Sequence, residues 1–266
     1  MKIGVRAHDY GKHSIEGLAS LLREEGYDGA QLALPKVFEE IDSYEDIRLS
    51  HIERIRRAFE KNRVEIPVMG CYMDLGNPDR SVREYAVETL KTCLLYAKEM
   101  GAGVVGTETA YPRLSREERA AWCPYMMDSL MRVMEEAQRI DMKLAIEPVY
   151  WHPLADLETT LKTIRMVDDP AHLRLIFDAS NLLEFPETTD QDAYWNQWLA
   201  SVGTYIDVMH IKDYSRAYQP KQLGKGILRY EEISRWLHEN KPDMYLLREE
   251  MNPASARADI AFMRRM

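Results

Sequence analysis

The sequence predicts an α/β protein, a (β/α)8 barrel formed as a single domain across residues 1–266. Three observations carry that reading. Eight short apolar runs alternate with stretches of helical periodicity along the chain. The repeating units average about 33 residues, and eight of them fill a barrel of the usual size, about 250 residues. No segment rich in Gly, Ser or Pro, and no low-complexity tract, marks the start of a second domain. Composition agrees: 45% hydrophobic and 30% charged residues describe an ordinary globular chain. Its length is enough to bury roughly three quarters of its unfolded surface. The alternative, a doubly wound open sheet, would want a glycine-rich phosphate loop after an early strand. Neither G-x-G-x-x-G nor G-x-x-x-x-G-K-[ST] occurs, and Gly224-Lys225-Gly226 lies late and follows a loop.

The elements read in order as follows. A strand over Ile3–Ala7 precedes a helix over Ser14–Glu25, which Gly26 stops. A second strand, Gly29–Leu34, leads to a helix over Arg48–Lys61, and a third runs from Ile66 to Tyr72. The clearest helix spans Pro78–Met100, where Val82, Tyr85, Ala86, Leu90, Cys93, Leu94 and Ala97 are expected to share one face. Asn77 is its expected N-cap, Pro78 suits the first helical position, and Gly101 suits the left-handed residue past its end. A fourth strand, Gly103–Thr107, follows. Ser115-Arg116-Glu117-Glu118 has the spacing of a capping box, and Pro124 is expected to split that segment into a short helix and a longer one ending near Ile140. Strands over Lys143–Glu147 and Arg174–Asp178 flank a helix over Leu157–Val167. Strands over Val208–Ile211 and Tyr245–Glu249 flank one over Tyr230–Asn240.

A net charge of −9 disfavours a nucleic-acid binder, which needs an excess of Lys and Arg to track phosphates. Cys71, Cys93 and Cys123 form an odd set without a close pair, so neither a disulfide framework nor a thiolate zinc site is expected. The N-terminus lacks the apolar core of a signal peptide, and no run approaches the roughly 18 apolar residues of a membrane span. These features point to a cytoplasmic protein without a membrane or nucleic-acid partner.

A barrel of parallel strands builds its active site where the strands end, so strand ends carry the chemistry. The last four end at Glu147, Asp178, His210 and Glu249, at intervals of 31, 32 and 39 residues, each about one βα unit. Three carboxylates and one imidazole make a hard, mostly oxygen ligand set suited to a divalent metal. Mn²⁺ is the leading candidate, with Mg²⁺, Co²⁺ or Zn²⁺ as alternatives. A cation also answers an electrostatic problem, because crowded carboxylates raise one another's pKa values. Taken singly, each residue has a plainer reading. Asp178 could be a helix N-cap, His210 a hydrogen-bonded core histidine, and Glu147 or Glu249 a solvated carboxylate. Four such residues on four successive strands favour one shared site.

Several short motifs extend this pattern over the whole chain: Gly4-Val5-Arg6-Ala7-His8-Asp9, Gly70-Cys71-Tyr72, Gly106-Thr107-Glu108-Thr109, Ile146-Glu147-Pro148, Phe177-Asp178-Ala179-Ser180-Asn181, His210-Ile211-Lys212-Asp213 and Leu247-Arg248-Glu249-Glu250. In order and spacing they resemble the xylose isomerase-like TIM-barrel family of sugar and sugar-phosphate isomerases and epimerases. That family also includes an inosose dehydratase and a dehydroshikimate dehydratase.

The resemblance implies a divalent ion held by Glu147, Asp178, His210 and Glu249, with Glu147 and Glu249 doubling as acid and base. The ion would polarise a substrate carbonyl and stabilise the enediolate left by proton abstraction beside it. Return of the proton decides between epimerisation and isomerisation, and loss of a β-hydroxyl gives dehydration. The expected activity is that of an isomerase or epimerase of a small sugar, sugar phosphate or keto-polyol, with a dehydratase of a cyclic keto-polyol as the rival. An endonuclease IV-like nuclease and a non-catalytic binding barrel rank lower. One departure is Asn181, where several family epimerases carry a histidine; an amide cannot act as acid or base near neutral pH. Glu249 is preferred to Glu250 because it follows Leu247 at even spacing. Substrate contacts are expected from His8, Tyr72, Glu108, Trp151, His152, Asn181 and Lys212. Their plainer readings are a surface residue for His152, an ion pair with Asp213 for Lys212, and pocket walls for the aromatics. Arg6 is read either as an anion binder or as part of an ion pair at the barrel floor. The partner is a small carbohydrate, and pairing into a homodimer is an expectation that no segment specifies.

Overall fold

The computed structural model describes residues 1–183 and 190–266. Its strands are β1 (Lys2–Arg6), β2 (Gly29–Leu32), β3 (Glu65–Gly70), β4 (Val104–Thr107), β5 (Leu144–Ile146), β6 (Leu173–Asp178), β7 (Ile206–Ile211) and β8 (Tyr245–Arg248). They close into a barrel in sequence order, every neighbour parallel, with β8 pairing back onto β1. Around it lie α1 (Ile15–Glu25), α2 (Leu34–Val37), α3 (Leu49–Asn62), α4 (Arg80–Met100), α5 (Arg116–Ile140), α6 (Leu157–Val167), α7 (Ala179–Leu182), α8 (Gln191–Val202), α9 (Glu231–Asn240) and α10 (Ala256–Met263). Among the described residues no helix is long and apolar enough to cross a membrane.

The pleat of the strands sorts side chains between two cores. Val68, Val104, Ala145, Ile176, Val208 and Leu247 form a cluster separate from the larger one between strands and helices. A Cβ on Gly106 would meet Val68 of β3 and Ile176 of β6 at 2.7 and 2.8 Å, so these chains fill the barrel interior from opposite walls. Successive strand residues alternate faces. Ala145, Ile176, Val208 and Leu247 therefore place Glu147, Asp178, His210 and Glu249, two residues further on, on the same inward face at the mouth. The next side chains out of register, such as Phe177, pack outward against Trp195 and Trp198 of α8.

Several boundaries differ from the sequence reading. Asn77 does not cap α4: Asp79 does, accepting from the Ser81 backbone at 2.7 Å, while Asn77 accepts from the Asp79 backbone in the preceding turn. Pro124 does not split α5, which is continuous. Both Pro124 and Ala120, whose carbonyl loses its helical donor, are exposed, so water can satisfy that carbonyl. After the proline, the buried face of Met126, Leu130, Val133, Met134 and Ala137 and an Arg132–Glu84 ion pair to α4 at 2.6 Å hold the helix; before it, Arg119 donates to the Tyr150 carbonyl. The capping box of Ser115 and Glu118 forms as its spacing implies. The sequence reading did not anticipate α8, whose Trp195, Trp198 and Leu199 are buried with little amphipathic contrast along the helix.

Candidate functional site

At the barrel mouth three potential ligand atoms, one each from Glu147, Asp178 and His210, lie within 4.8 Å of one another, and all three residues are buried. Asp178 and His210 are direct cross-strand partners, which fixes their spacing. His210 Nδ1 lies 3.3 Å from Glu147 Oε2 and 3.2 Å from Glu249 Oε1. Glu249 adjoins this three-residue cluster at the end of β8. Glu250, in the left-handed region at φ 50°, lies outside this cluster on the cavity wall, where it accepts a hydrogen bond from the Tyr214 hydroxyl and stands 3.6 Å from Lys212 Nζ.

The surrounding bonds leave donor atoms free for a cation. Asp178 has both of the roles open to it: Oδ1 caps α7, accepting from the Ser180 backbone at 2.9 Å, its hydroxyl at 2.6 Å and the Asn181 backbone at 3.2 Å. Oδ2 makes no hydrogen bond, although Lys212 Nζ stands 2.9 Å away as an ion-pair partner. His210 Nε2 is paired with Gln31 Oε1 at 2.7 Å, while its Nδ1 is buried without a hydrogen bond. An imidazole held at Nε2 by an acceptor presents Nδ1 as a ligand, the usual support for a metal-bound histidine. Two buried atoms without a hydrogen bond, one of them balanced by the Lys212 charge, fit a divalent cation beside the Glu147 and Glu249 carboxylates.

Charge tells the same story. Burial opposes a proton on His210, yet Glu249 and Glu147 outweigh it and push its pKa up to about 9. Burial likewise opposes charge on Lys212, but Asp178 and Glu249 hold it well above the ordinary lysine range. Burial would raise Glu249, but His210, Lys212 and Arg6 hold it below the usual carboxylate range. The carboxylates thus draw positive charge to this point.

Above the cluster opens a cavity of about 600 Å³. Of the residues expected to contact substrate, His8, Tyr72, Glu108, Trp151, Asn181 and Lys212 line it. Asn181 Nδ2 donates to Glu147 Oε1 at 2.7 Å. His152 does not line the cavity, nor is it a surface residue; it is buried behind Glu108, its Nδ1 3.7 Å from Glu108 Oε2. Lys212 does not pair with Asp213. It bridges Asp178 and Glu249, each at 2.9 Å, while Asp213 accepts from the Gly224, Gly226 and Leu228 backbones. Arg6 sits at the mouth, not at the floor, 2.7 Å from Asp9 and 3.5 Å from Glu249. Burial and then Glu147 push the pKa of Glu108 up to about 8. Burial, reinforced by Arg6, lowers His8 to about 3; burial, reinforced by Arg113, lowers His152 to about 4.

Sequence reasoning missed Gln31, Lys36, Tyr44, Tyr111, Arg113, Tyr214 and Tyr218. Gln31, the one polar side chain of β2, left a signal as a lone amide in a buried strand. The others lie on the loops and short helix that follow the strands, and reading those loops along with the strand ends would have reached them.

A closed parallel barrel with a candidate cation site at its C-terminal mouth is the architecture of the TIM-barrel enzymes that work from strand ends. The chain belongs to the xylose isomerase-like TIM barrel family, whose model matches residues 19–266. No curated protein matches it by sequence. Among solved structures it resembles the 3-keto-D-glucoside 4-epimerase of E. coli in its apo form, at 17% identity, a TM-score of 0.78, and coverage of 100% of both chains. It also resembles a D-psicose 3-epimerase from Clostridium cellulolyticum H10 with D-tagatose, at 14% identity and a TM-score of 0.78, covering 100% of this chain and 99% of the other. A xylose isomerase-like TIM barrel protein from Mycobacterium smegmatis in complex with magnesium matches at 17% identity and a TM-score of 0.73, over 99% and 95% of the chains. At such identities the likeness establishes the fold.

Proposed function

We propose that the protein is a divalent-metal-dependent isomerase or epimerase of a small sugar, sugar phosphate or keto-polyol, working by proton abstraction beside a carbonyl through an enediolate. The observation that carries this reading is the placement of Glu147 and Glu249, each within 3.3 Å of His210 Nδ1, which makes no hydrogen bond itself. Glu147, Asp178, His210 and Glu249 would hold the metal, which when bound polarises the substrate carbonyl and offsets developing negative charge. Glu147, oriented by Asn181, and Glu249, held ionised by its cationic neighbours, are the pair that removes and returns the proton from two sides. Lys212 orients both Asp178 and Glu249, and Tyr72 and Trp151 wall the substrate.

A second reading, dehydration of a keto-polyol, is favoured by Glu108, which lines the cavity and, at about 8, stays protonated near neutral pH. A neutral carboxylic acid there can protonate a departing hydroxyl.

Solvent-deuterium incorporation into ketoses, keto-polyols and their phosphates, with Mn²⁺ present, tests both. Exchange beside the carbonyl with retention of the hydroxyls supports isomerase or epimerase chemistry, and loss of water supports the dehydratase. The Glu147→Gln variant is expected to fold as the parent and to lose at least about 100-fold in exchange rate, as removal of a general base does. Undiminished exchange would remove Glu147 from the mechanism.

A further inference from the structure

Four cations line the cavity, Arg6, Lys36, Arg113 and Lys212, and they are of two kinds. Arg6 is neutralised by Asp9 and Glu249, and Lys212 by Asp178 and Glu249. Lys36 and Arg113 have no carboxylate partner among the described residues. Each instead rests on an aromatic ring of the cavity wall: Lys36 Nζ is 5.6 Å from the centroid of Tyr72, and the Arg113 guanidinium is 4.3 Å from that of Trp151. An exposed cation on a ring gains little from it, so both charges remain available to an anion.

Topology separates these charges from the candidate metal ligands. Lys36 lies in α2, after β2, and Arg113 follows β4, whereas Glu147, Asp178, His210 and Glu249 end β5 to β8. The candidate ligand carboxylates thus lie along β5 to β8, while the two unpaired cations follow β2 and β4, where the Glu108 carboxyl also lines the cavity. In a chain of net charge −9, an anion approaching this mouth needs a local attraction, and these two side chains supply it.

We propose that the substrate is anionic, with its carbonyl end toward Glu147, Asp178 and His210 and a phosphate or carboxylate group toward Lys36 and Arg113. The inference rests on the isomerase reading above and narrows its substrate class. The planar Arg113 fork suits two anion oxygens, and Lys36 adds a point charge to the same cavity.

The test is calorimetric titration of the Mn²⁺-loaded protein with D-fructose, D-fructose 6-phosphate and 5-keto-D-gluconate, in the parent and a Lys36→Gln/Arg113→Gln double variant. At least one anion is expected to bind about tenfold or more tighter than D-fructose. The double substitution is expected to lower that anion's affinity by about 10- to 100-fold more than it lowers that for D-fructose. Which anion binds tighter tells a phosphate site from a carboxylate site. Equal affinity for all three compounds, equal loss for all three, or no binding of either anion at millimolar concentration would overturn the proposal. Deuterium exchange run on the same samples keeps the two readings apart. Discrimination between anion and neutral sugar without exchange leaves the anion site standing and removes the isomerase, and exchange without discrimination does the reverse.

Discussion

Asp178 joins local structure to chemistry in one side chain: Oδ1 caps α7 and Oδ2 faces the candidate cation site. The two roles are separable by substitution. Asn retains an oxygen that can cap, so Asp178→Asn is expected to melt near the parent when metal is absent. It lacks the anionic ligand, so its metal affinity should fall by more than the roughly 10–100-fold typical of losing a supporting residue. Asp178→Ala should lose the metal and about 1 kcal/mol of stability besides, the usual contribution of an N-cap. Melting curves with and without added Mn²⁺ check both, and a full metal-induced rise in Tm for the Asn variant would show that Oδ2 is no ligand. The sequence made this site legible because the candidate ligands sit at period-two positions on four buried strands, where a polar residue stands out against Ile, Val and Leu. Of the two readings of Lys212, the cavity residue stands and the ion pair with Asp213 fails, since the pleat turns those two side chains to opposite directions. Gln31 went unread because its partner, His210, is 179 positions away and no local pattern links them.

Between strands and helices, the segment after β7 shows how one carboxylate organises a wall of the cavity. Asp213 accepts from the Tyr214 backbone at 2.9 Å, Gly224 at 3.0 Å, Gly226 at 2.8 Å and Leu228 at 3.2 Å, which folds residues 214–228 over the mouth and sets Tyr214 and Tyr218 in its lining. A Cβ on Gly226 would collide with Asp213 Oδ1 and the Tyr214 carbonyl, so no other residue fits this turn unchanged. Gly226→Ala and Asp213→Ala are therefore expected to loosen the same wall. Each should keep the parent's metal affinity and raise KM for the active substrate several-fold, with about 1–3 kcal/mol of stability lost for Asp213→Ala from its orphaned buried donors. Unchanged KM in both variants would mean that this segment does not touch substrate. At this scale the sequence was readable where a local signal decides, as at the Ser115 cap. It failed where tertiary packing does: α5 runs through Pro124 with its second half fixed by a buried methionine-rich face and its first tied by Arg119 to the Tyr150 carbonyl, and α8 is set by its contacts with Phe177.

Across the whole molecule, buried histidines link stability to pH. His8 is lowered to about 3 and His152 to about 4, both chiefly by burial, against about 6.5 in an unfolded chain. Between those values and 6.5 the unfolded chain binds two protons that the folded one refuses, which destabilises the fold as pH falls. Glu108 acts in the opposite sense: at about 8 it holds a proton in the folded protein down to its unfolded value near 4.3, which offsets one of the two. His210, at about 9, is protonated in both states below 6.5 and drops out of this window. Among His8, His152 and Glu108 the balance is one extra proton on the unfolded chain, a loss of about 1.4 kcal/mol per pH unit on acidification from 6.5 toward 4.5, which the raised Asp9 and Asp74 carboxyls temper at the acid end. Above 6.5 the signs reverse, because Glu108 and His210 retain protons that the unfolded chain has released, so the metal-free protein is expected to be most stable near pH 6.5. His152→Gln removes one of the two acid-side contributions and should leave Tm nearly level between pH 6 and 5, where the parent's falls. Thermal melts of both proteins at constant ionic strength decide the matter: a parent Tm that climbs steadily from pH 6.5 to 5 would show that the buried imidazoles charge within the fold, against the assignment made here.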